Sequence, residues 1–351
     1  MLNFATPAFA LIFLSAVSSG AVPVPLRMRR RYEWENTWLL GQLFAQIIIP
    51  FIALTILLPN WWGAVQAAGA STVLFAMAYG FLWGWGSVAY ALSITTIGIS
   101  LSLAIIHGLT AAVGSIIPML RKWDQVPDKA KPVILLGIVV CVVATALCGW
   151  AGVLRERGAS ALSNLKPSLS GQKTSPLRFF VIGLFWCLLS GVLSSCANLG
   201  FDYADRVQEA ALRLGAHPLS ATICRWITVY WGGILAVTIG CGSKMLRKGT
   251  WRNFSGPGSG RDFVLAILLG CFHFLAQIPY GMGAYYLGRL GTTVGWAFNI
   301  SFSMLLGVVF GFGIGEWKAA SQASIRTLYW GLGSLVASMV ILAYGLSIVN
   351  R

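Results

Sequence analysis

Residues 26–38 read LRMRRRYEWENTW, with arginine at positions 27, 29, 30 and 31. Two apolar runs, 4–24 and 38–58, flank the stretch. Each is close to the roughly 20 residues that a helix needs to cross a bilayer. That setting decides what the arginines mean. Short loops rich in Lys and Arg stay in the cytoplasm, so the cluster reads as a topology signal. A net charge of +15 could also suggest a nucleic-acid surface. The basic residues sit between apolar runs, however, and no nucleic-acid partner is expected. Trp34 and Trp38 stand where interfacial tryptophans belong, and Glu33 and Glu35 fall where a helix N-terminus favours negative charge.

The rest of the chain agrees with this reading. Of 351 residues only 10% are charged and 57% are hydrophobic, whereas a soluble domain carries about 25% charged residues. Such a chain cannot cover a water-facing surface, and the lipid bilayer is the solvent that it fits. Ten segments are apolar enough to span: 4–24, 38–58, 71–94, 97–120, 132–153, 177–199, 219–241, 262–287, 293–313 and 327–349. The expected fold is therefore all-α, a polytopic membrane protein of ten transmembrane helices. The first run has no basic residue before it and no small-residue cleavage pattern, so it reads as a retained helix and not a signal peptide. A turn of two or three residues near Thr96 is expected between the third and fourth segments, and a break around Gly288–Gly291 between the eighth and ninth.

The longest internal hydrophilic stretch, Arg155–Ser175, is rich in Gly, Ser, Lys and Pro and reads as a flexible linker. It divides the chain into a first five-helix repeat, 1–154, a cytoplasmic linker, 155–176, and a second five-helix repeat, 177–351. An odd number of helices per half inverts the second half in the membrane, the geometry of inverted repeats in transporters. Leu14–Ser19 (LSAVSS) and Leu189–Ser195 (LSGVLSS) match with a one-residue shift. Numbering the loops between segments, the odd loops hold fifteen Lys and Arg and the even loops seven. This count puts the odd loops in the cytoplasm and both termini outside.

Seven cysteines, none in a CxxC pair, argue against disulfides and metal sites. There is no P-loop, HExxH or GxSxG. Neither an enzyme nor a cofactor is expected, and uphill transport would have to draw on an ion gradient. The candidate functional groups are the polar residues inside apolar segments. No Asp or Glu is expected in the middle of a helix. His107 and His273 sit near the centres of the fourth and eighth segments, and a ring that titrates near 6.5 suits a proton carrier. The alternative is a neutral ring bonded to a neighbouring helix. Arg225 lies two turns into the seventh segment, near enough to the end to snorkel, with an ion-pairing or gating role as the alternative.

Gln42 and Gln46 share a helix face, and His273, Gln277 and Tyr280 form a polar stripe. Trp83 and Trp85 lie among glycines on the third segment, Asn198 ends the sixth, and Asn299 is on the ninth. Amides, hydroxyls and aromatic rings without strong charge suit a neutral polyol. The competing reading is interhelical bonding and interfacial aromatic belts. Gly307, Gly311 and Gly315, like Gly80 and Gly84, read as close-packing faces.

In order and spacing, these residues resemble the L-rhamnose–proton symporters of the drug/metabolite transporter superfamily. The resemblance runs over nearly the whole chain. It is carried by the basic run with Trp34-Glu35 and Trp38, Pro50, Leu57-Leu58-Pro59-Asn60-Trp61, Trp83-Gly84, Gly86, Tyr90 and Gly98, then Asn198, Gly215–Pro218, Gln277 and Glu316-Trp317. It implies a ten-helix carrier of the bacterial inner membrane that takes up L-rhamnose or a similar deoxy sugar with a proton by alternating access, with a homodimer as a possible assembly. Gln42, Gln46, Asn198, Gln277, Tyr280 and Asn299 would hold the sugar, Trp83 or Trp85 would orient it, and His273 or His107 would carry the proton. Many superfamily members have cytoplasmic termini, which the charge count here opposes. The rival readings are another exporter or exchanger on the same fold, and a membrane transferase using Asp202, Asp205, Glu209 and His217.

Overall fold

A segment in hydrocarbon must satisfy its own backbone, so apolar runs of this length become helices. The computed structural model describes residues 2–97, 99–163, 176–313, 315, 317–318 and 320–349. Among them are fourteen α-helices and no strand. They are α1 (Leu2–Ala21), α2 (Pro23–Met28), α3 (Trp34–Leu43), α4 (Ile49–Leu57), α5 (Trp61–Ala67), α6 (Ala70–Ile97) and α7 (Ile99–Arg121), followed by α8 (Ala130–Ser163), α9 (Pro176–Tyr203), α10 (Asp205–Arg213), α11 (Pro218–Lys248), α12 (Ser259–Tyr286), α13 (Gly291–Gly313) and α14 (Gln322–Val349).

Nine helical stretches of the described residues are long and apolar enough to cross a membrane. The tenth expected segment, 97–120, is the helix α7, in which Ile105–Arg121 is apolar but shorter than a span. Large apolar side chains such as Ile56, Leu74 and Trp330 face outward, as lipid permits.

Four expectations change. The helix α8 continues to Ser163, so the first part of the expected linker is helical; its Ala, Leu and Arg are good helix formers. The turn expected near Thr96 falls instead inside α6, which is helical to Ile97, while Gly98 and residues 164–175 of that linker lie outside the described residues. Helix α9 runs past residue 199 to Tyr203, and it carries a buried carboxylate, Asp202, that the apolar window had left in a loop. Finally, Gly315 lies beyond the end of α13 with φ at 79°, and among the described residues nothing stands within 4 Å of a Cβ built on Gly307. The 307–311–315 spacing is thus not one helix-packing face.

The described chain forms two compact units, and each draws on both halves of the sequence. One comprises Met1–Trp85 with Cys196–Asn299, the other Gly86–Ser195 with Ile300–Arg351. In the first unit α1 runs antiparallel to α12, with Ile12 against Gly283 and Ser15 against Ala276. Helices α6 and α11 touch backbone to backbone: a Cβ at Gly80 would fall 1.9 Å from the Val229 carbonyl oxygen, and one at Gly232 would fall 1.8 Å from that of Met77. Only glycine fits at either place. In the second unit α8 and α14 are antiparallel, tied by the hydroxyls of Ser338 to the Gly137 carbonyl and of Ser324 to the Ala151 carbonyl. Helix α7 packs on α8.

The arginine-rich stretch is fastened at the α12 end of the first unit. Asp262 is fully buried and accepts the backbone N–H groups of Arg30, Arg31 and Tyr32 at 3.2, 2.7 and 2.7 Å. Arg31 Nε donates to the Asn253 carbonyl at 3.1 Å. Glu33 and Asn36 form a capping box that starts α3, and Asn36 Nδ2 donates to the Thr250 carbonyl at 3.0 Å. Glu35 lies 3.4 Å from Lys248 Nζ and 3.6 Å from Lys244 Nζ. Burial and the adjacent Asp262 carboxylate push the Tyr32 phenol above its ordinary value, against the pull of Arg31.

Candidate substrate site

The second span is not one regular helix. Pro50 has no N–H, so the carbonyl of Gln46 loses its helical donor. The chain answers with a single π-helical turn, Phe44–Ile48, in which the Ile49 N–H reaches the Phe44 carbonyl. Such turns are frequent at functional sites, and this one holds Gln46 beside Gln42. Gln46 Nε2 donates to Gln42 Oε1 at 2.6 Å, and Gln42 Nε2 lies 3.4 Å from His273 Nδ1. With its carbonyl occupied, Gln42 turns its NH2 to the ring. Nδ1 is then the acceptor, and the neutral imidazole carries its proton on Nε2. Neither His273 Nε2 nor Gln46 Oε1 has a partner among the described residues, though both atoms are buried. The three side chains therefore form a chain with an open donor at one end and an open acceptor at the other.

Aromatic rings surround it. Trp83 stacks on the His273 ring with centroids 5.6 Å apart and planes at 26°, and Trp38 meets it edge-on at 6.4 Å. Tyr230 lies 6.5 Å beyond Trp83. Trp226 stacks between Tyr230 at 5.5 Å and Phe201 at 4.6 Å, and Tyr280 packs edge-on to Trp296 at 5.1 Å. The indole N–H groups of Trp38 and Trp226 and the Tyr230 hydroxyl are also buried and unpartnered, as is the Thr293 hydroxyl. Six such atoms thus belong to this one unit. Each costs about 1–3 kcal/mol if nothing fills it, and buried groups left open in a fold call for an explanation. Hydroxyl groups, each of which both donates and accepts, match such a set in kind.

A second polar cluster adjoins the far end of the aromatic row. The Tyr280 hydroxyl donates to Asn198 Oδ1, and Asn198 Nδ2 donates to the Thr292 carbonyl at 2.9 Å. The Thr292 hydroxyl donates to Asp202 Oδ1 at 2.7 Å. Arg225 does not snorkel. It is only 8% exposed, because its guanidinium is held inside by the carbonyls of Phe201 and Asp202 and by Gln208 Oε1.

The family model described as "L-rhamnose-proton symport protein (RhaT)" matches residues 3–349. The chain belongs to that family. Curated relatives named L-rhamnose-proton symporter include one from Cronobacter sakazakii, 27% identical over 361 residues and 99% of each chain. Another, from Pectobacterium atrosepticum, is 26% identical over 347 residues and 96% of each chain. A third, from Yersinia pestis, is 24% identical over 348 residues, covering 95% of this chain and 96% of its own. Family membership and the nine spanning stretches make this a multi-pass protein of the bacterial inner membrane.

Within this family member, the expected site residues fall into distinct places. Gln42, Gln46, Trp83 and His273 are brought together, and Tyr280 joins Asn198 in the second cluster. Asn299 is buried on α13, where its Oδ1 lies 3.1 Å from the Ser15 hydroxyl. Gln277 is half-buried on α12 and makes no hydrogen bond among the described residues. Trp85 is about 200° round the helix from Trp83 and packs on Phe81 at 6.3 Å. His107 belongs to the other unit. Sequence reasoning missed Trp226, Tyr230, Thr292 and the burial of Asp202. The usable signal was spacing: Trp226 and Tyr230, like Asn198 and Asp202, stand four residues apart on one helix face. An open cleft lined by Ala67, Arg206, Glu209, Ala210, Arg213 and Leu214 holds none of the unpartnered groups.

Proposed function

We propose that this protein is a secondary transporter that takes up L-rhamnose, or a related deoxy sugar, together with a proton by alternating access. Its role is transport and not catalysis. The observation that carries the reading is the row of buried, unpartnered donors and acceptors along stacked aromatic rings, from Trp38 and His273 to Tyr230 and Trp226. A neutral sugar offers matching hydroxyls and a C–H face for Trp83. The methyl group of a 6-deoxy sugar favours the same apolar wall. Gln42, Gln46, His273, Tyr230 and Trp226 hold the sugar, with Asn198, Tyr280, Gln277 and Asn299 around them. His107 and His273 are the two intramembrane histidines, and His273 enters this reading as a donor to the sugar.

The architecture that serves this cycle has ten spanning helices, with α7 as the tenth, in two inverted five-helix repeats, 1–154 and 177–351, joined on the cytoplasmic side by 155–176. The family membership supports it, as does the contribution of both halves to each compact unit. Proteoliposomes carrying an inward proton gradient test the function. Labelled L-rhamnose should accumulate inside, unlabelled deoxy sugars should compete, and adding sugar should alkalinise the outside medium. A membrane that takes up no rhamnose, with no pH change, would refute the reading.

A further inference from the structure

Three carboxylates are buried among the described residues: Glu35, Asp202 and Asp262. Two of them fasten the first loop. The third, Asp202, lies on α9 one helical turn after Asn198 and has no part in that fastening. We propose that Asp202 is the group that binds the transported proton, and that Thr292 and Asn198 relay its protonation state to Tyr280. The inference rests on the transport reading above.

The geometry supplies an unbroken connection. Thr292 holds both sides: its hydroxyl donates to Asp202 Oδ1 at 2.7 Å, while its carbonyl accepts Asn198 Nδ2 at 2.9 Å. Asn198 in turn accepts the Tyr280 hydroxyl, and Tyr280 packs against Trp226 of the open aromatic row. A change at the carboxylate therefore reaches the sugar-facing wall through two side chains and one backbone group. The charged and titratable groups linked to Asp202 include the guanidinium of Arg225 from α11, bonded to its backbone carbonyl, and the phenol of Tyr280 from α12, joined through Asn198 and Thr292. Helix α13 brings the Thr292 hydroxyl, and α10 brings the Gln208 amide, which holds Arg225 at 2.8 Å.

Arg225 stays charged at all working pH values. It is fixed by neutral acceptors, including the Asp202 carbonyl at 3.2 Å. The Asp202 backbone carbonyl thus ties this fixed cation to the residue that carries the carboxylate, and one proton on that carboxylate changes the summed charge of the two residues from zero to +1. That is a large change for a buried site.

His273 is built for the other task. Its Nδ1 faces the Gln42 NH2, so a proton placed on Nδ1 would set donor against donor. The ring serves as a neutral donor to the sugar.

The proton step is simple. One proton from the outer medium adds to the Asp202 carboxylate, forming an O–H. The carboxyl then accepts less strongly from Thr292, and the hold on Asn198 and Tyr280 changes. After the sugar has left inward, the proton leaves inward too. Sugar and proton bias the access equilibrium only through their different affinities for the two states.

Two measurements on the purified full chain decide the matter. Infrared difference spectra recorded across pH should show a protonated-carboxyl C=O band in wild type that is lost in Asp202→Asn and displaced in Asp202→Glu. The band should also shift its midpoint in Thr292→Val, which keeps the carboxylate but removes its hydroxyl partner. A band that persists in Asp202→Asn, or a wild type with none, overturns the proposal whatever the substrate. In proteoliposomes, Asp202→Asn should lose gradient-driven accumulation and sugar-induced alkalinisation, while counterflow, which needs no net proton movement, continues at reduced rate. Asp202→Glu should restore accumulation with a displaced pH profile. Accumulation by Asp202→Asn overturns the assignment. Absence of rhamnose counterflow in wild type refutes the substrate reading alone, and the infrared titration still judges Asp202.

Discussion

Two buried polar regions of the same unit are built in opposite ways. Around the arginine-rich stretch, Asp262 closes three backbone N–H groups, Asn36 closes the Thr250 carbonyl, and Glu35 faces two lysines. Among the described residues, no side-chain atom from Arg29 to Thr37 is left both buried and unpartnered. Around His273 the rule is reversed, with donors and acceptors of His273, Gln46, Tyr230 and Trp226 left open among packed rings. A closed network holds a fold together, because every group in it is lost if one is removed. An open one weakens the fold and is retained where something else completes it. The difference separates the part of the protein that positions helices from the part proposed above to meet the solute.

Asp262→Ala should damage the closed network most. It leaves the amides of Arg30, Arg31 and Tyr32 without their acceptor in a buried place. Orphaning them should cost about 3–5 kcal/mol, the scale of breaking a buried charged network. Thermal unfolding of the detergent-solubilised protein should show a melting temperature well below wild type. An unchanged melting temperature would mean that the first loop is not fastened by this carboxylate.

Tyr230→Phe probes the other region and should move two quantities in opposite directions. The hydroxyl has no partner to lose among the described residues, so its removal should stabilise the empty protein by about 1 kcal/mol. The same change removes a group that the sugar would engage, and L-rhamnose affinity should fall up to about tenfold, equivalent to about 1.4 kcal/mol. Melting without sugar and binding by tryptophan fluorescence read the two effects separately. If stability and affinity both fall, the hydroxyl has a structural partner and the open row is shorter than described.

These contrasts also mark what could be read from the residues alone. Length, hydropathy and the loop charges announce helices and a membrane, because lipid forces any long apolar run to close its own hydrogen bonds. The polar stripe of His273 and Tyr280 is visible because helical periodicity puts both on one face. Asp202 was hidden by a hydropathy window that ended three residues too early, and burial there depends on α13, some ninety residues away, supplying Thr292. Arg225 looked close enough to a helix end to reach water, and only the packing of α9 and α10 against α11 shows it held inside. Trp83 and Trp85 cannot be told apart by composition. Which of them faces His273 depends on how α6 is turned against α11, and that follows from Gly80 and Gly232.

Glu35→Gln tests whether burial of a carboxylate alone makes it indispensable. Glu35 is as buried as Asp262, at 1% exposed, yet its partners differ in kind. Lys244 and Lys248 are 46% and 50% exposed, and they stand 3.6 and 3.4 Å from the carboxylate. Those separations exceed the 2.7–2.9 Å or so of a strong charge-assisted bond. Flexible lysines can turn to water when the charge is removed, and the glutamine carbonyl can still accept from the Thr250 hydroxyl. The backbone amides around Asp262 have no such freedom. Glu35→Gln should therefore cost less than about 1 kcal/mol. Its difference from wild type in melting temperature should shrink further near 1 M salt, where screening acts within about 3 Å. A loss as large as that of Asp262→Ala, insensitive to salt, would show that the lysine pair is as rigidly closed as the amide cradle.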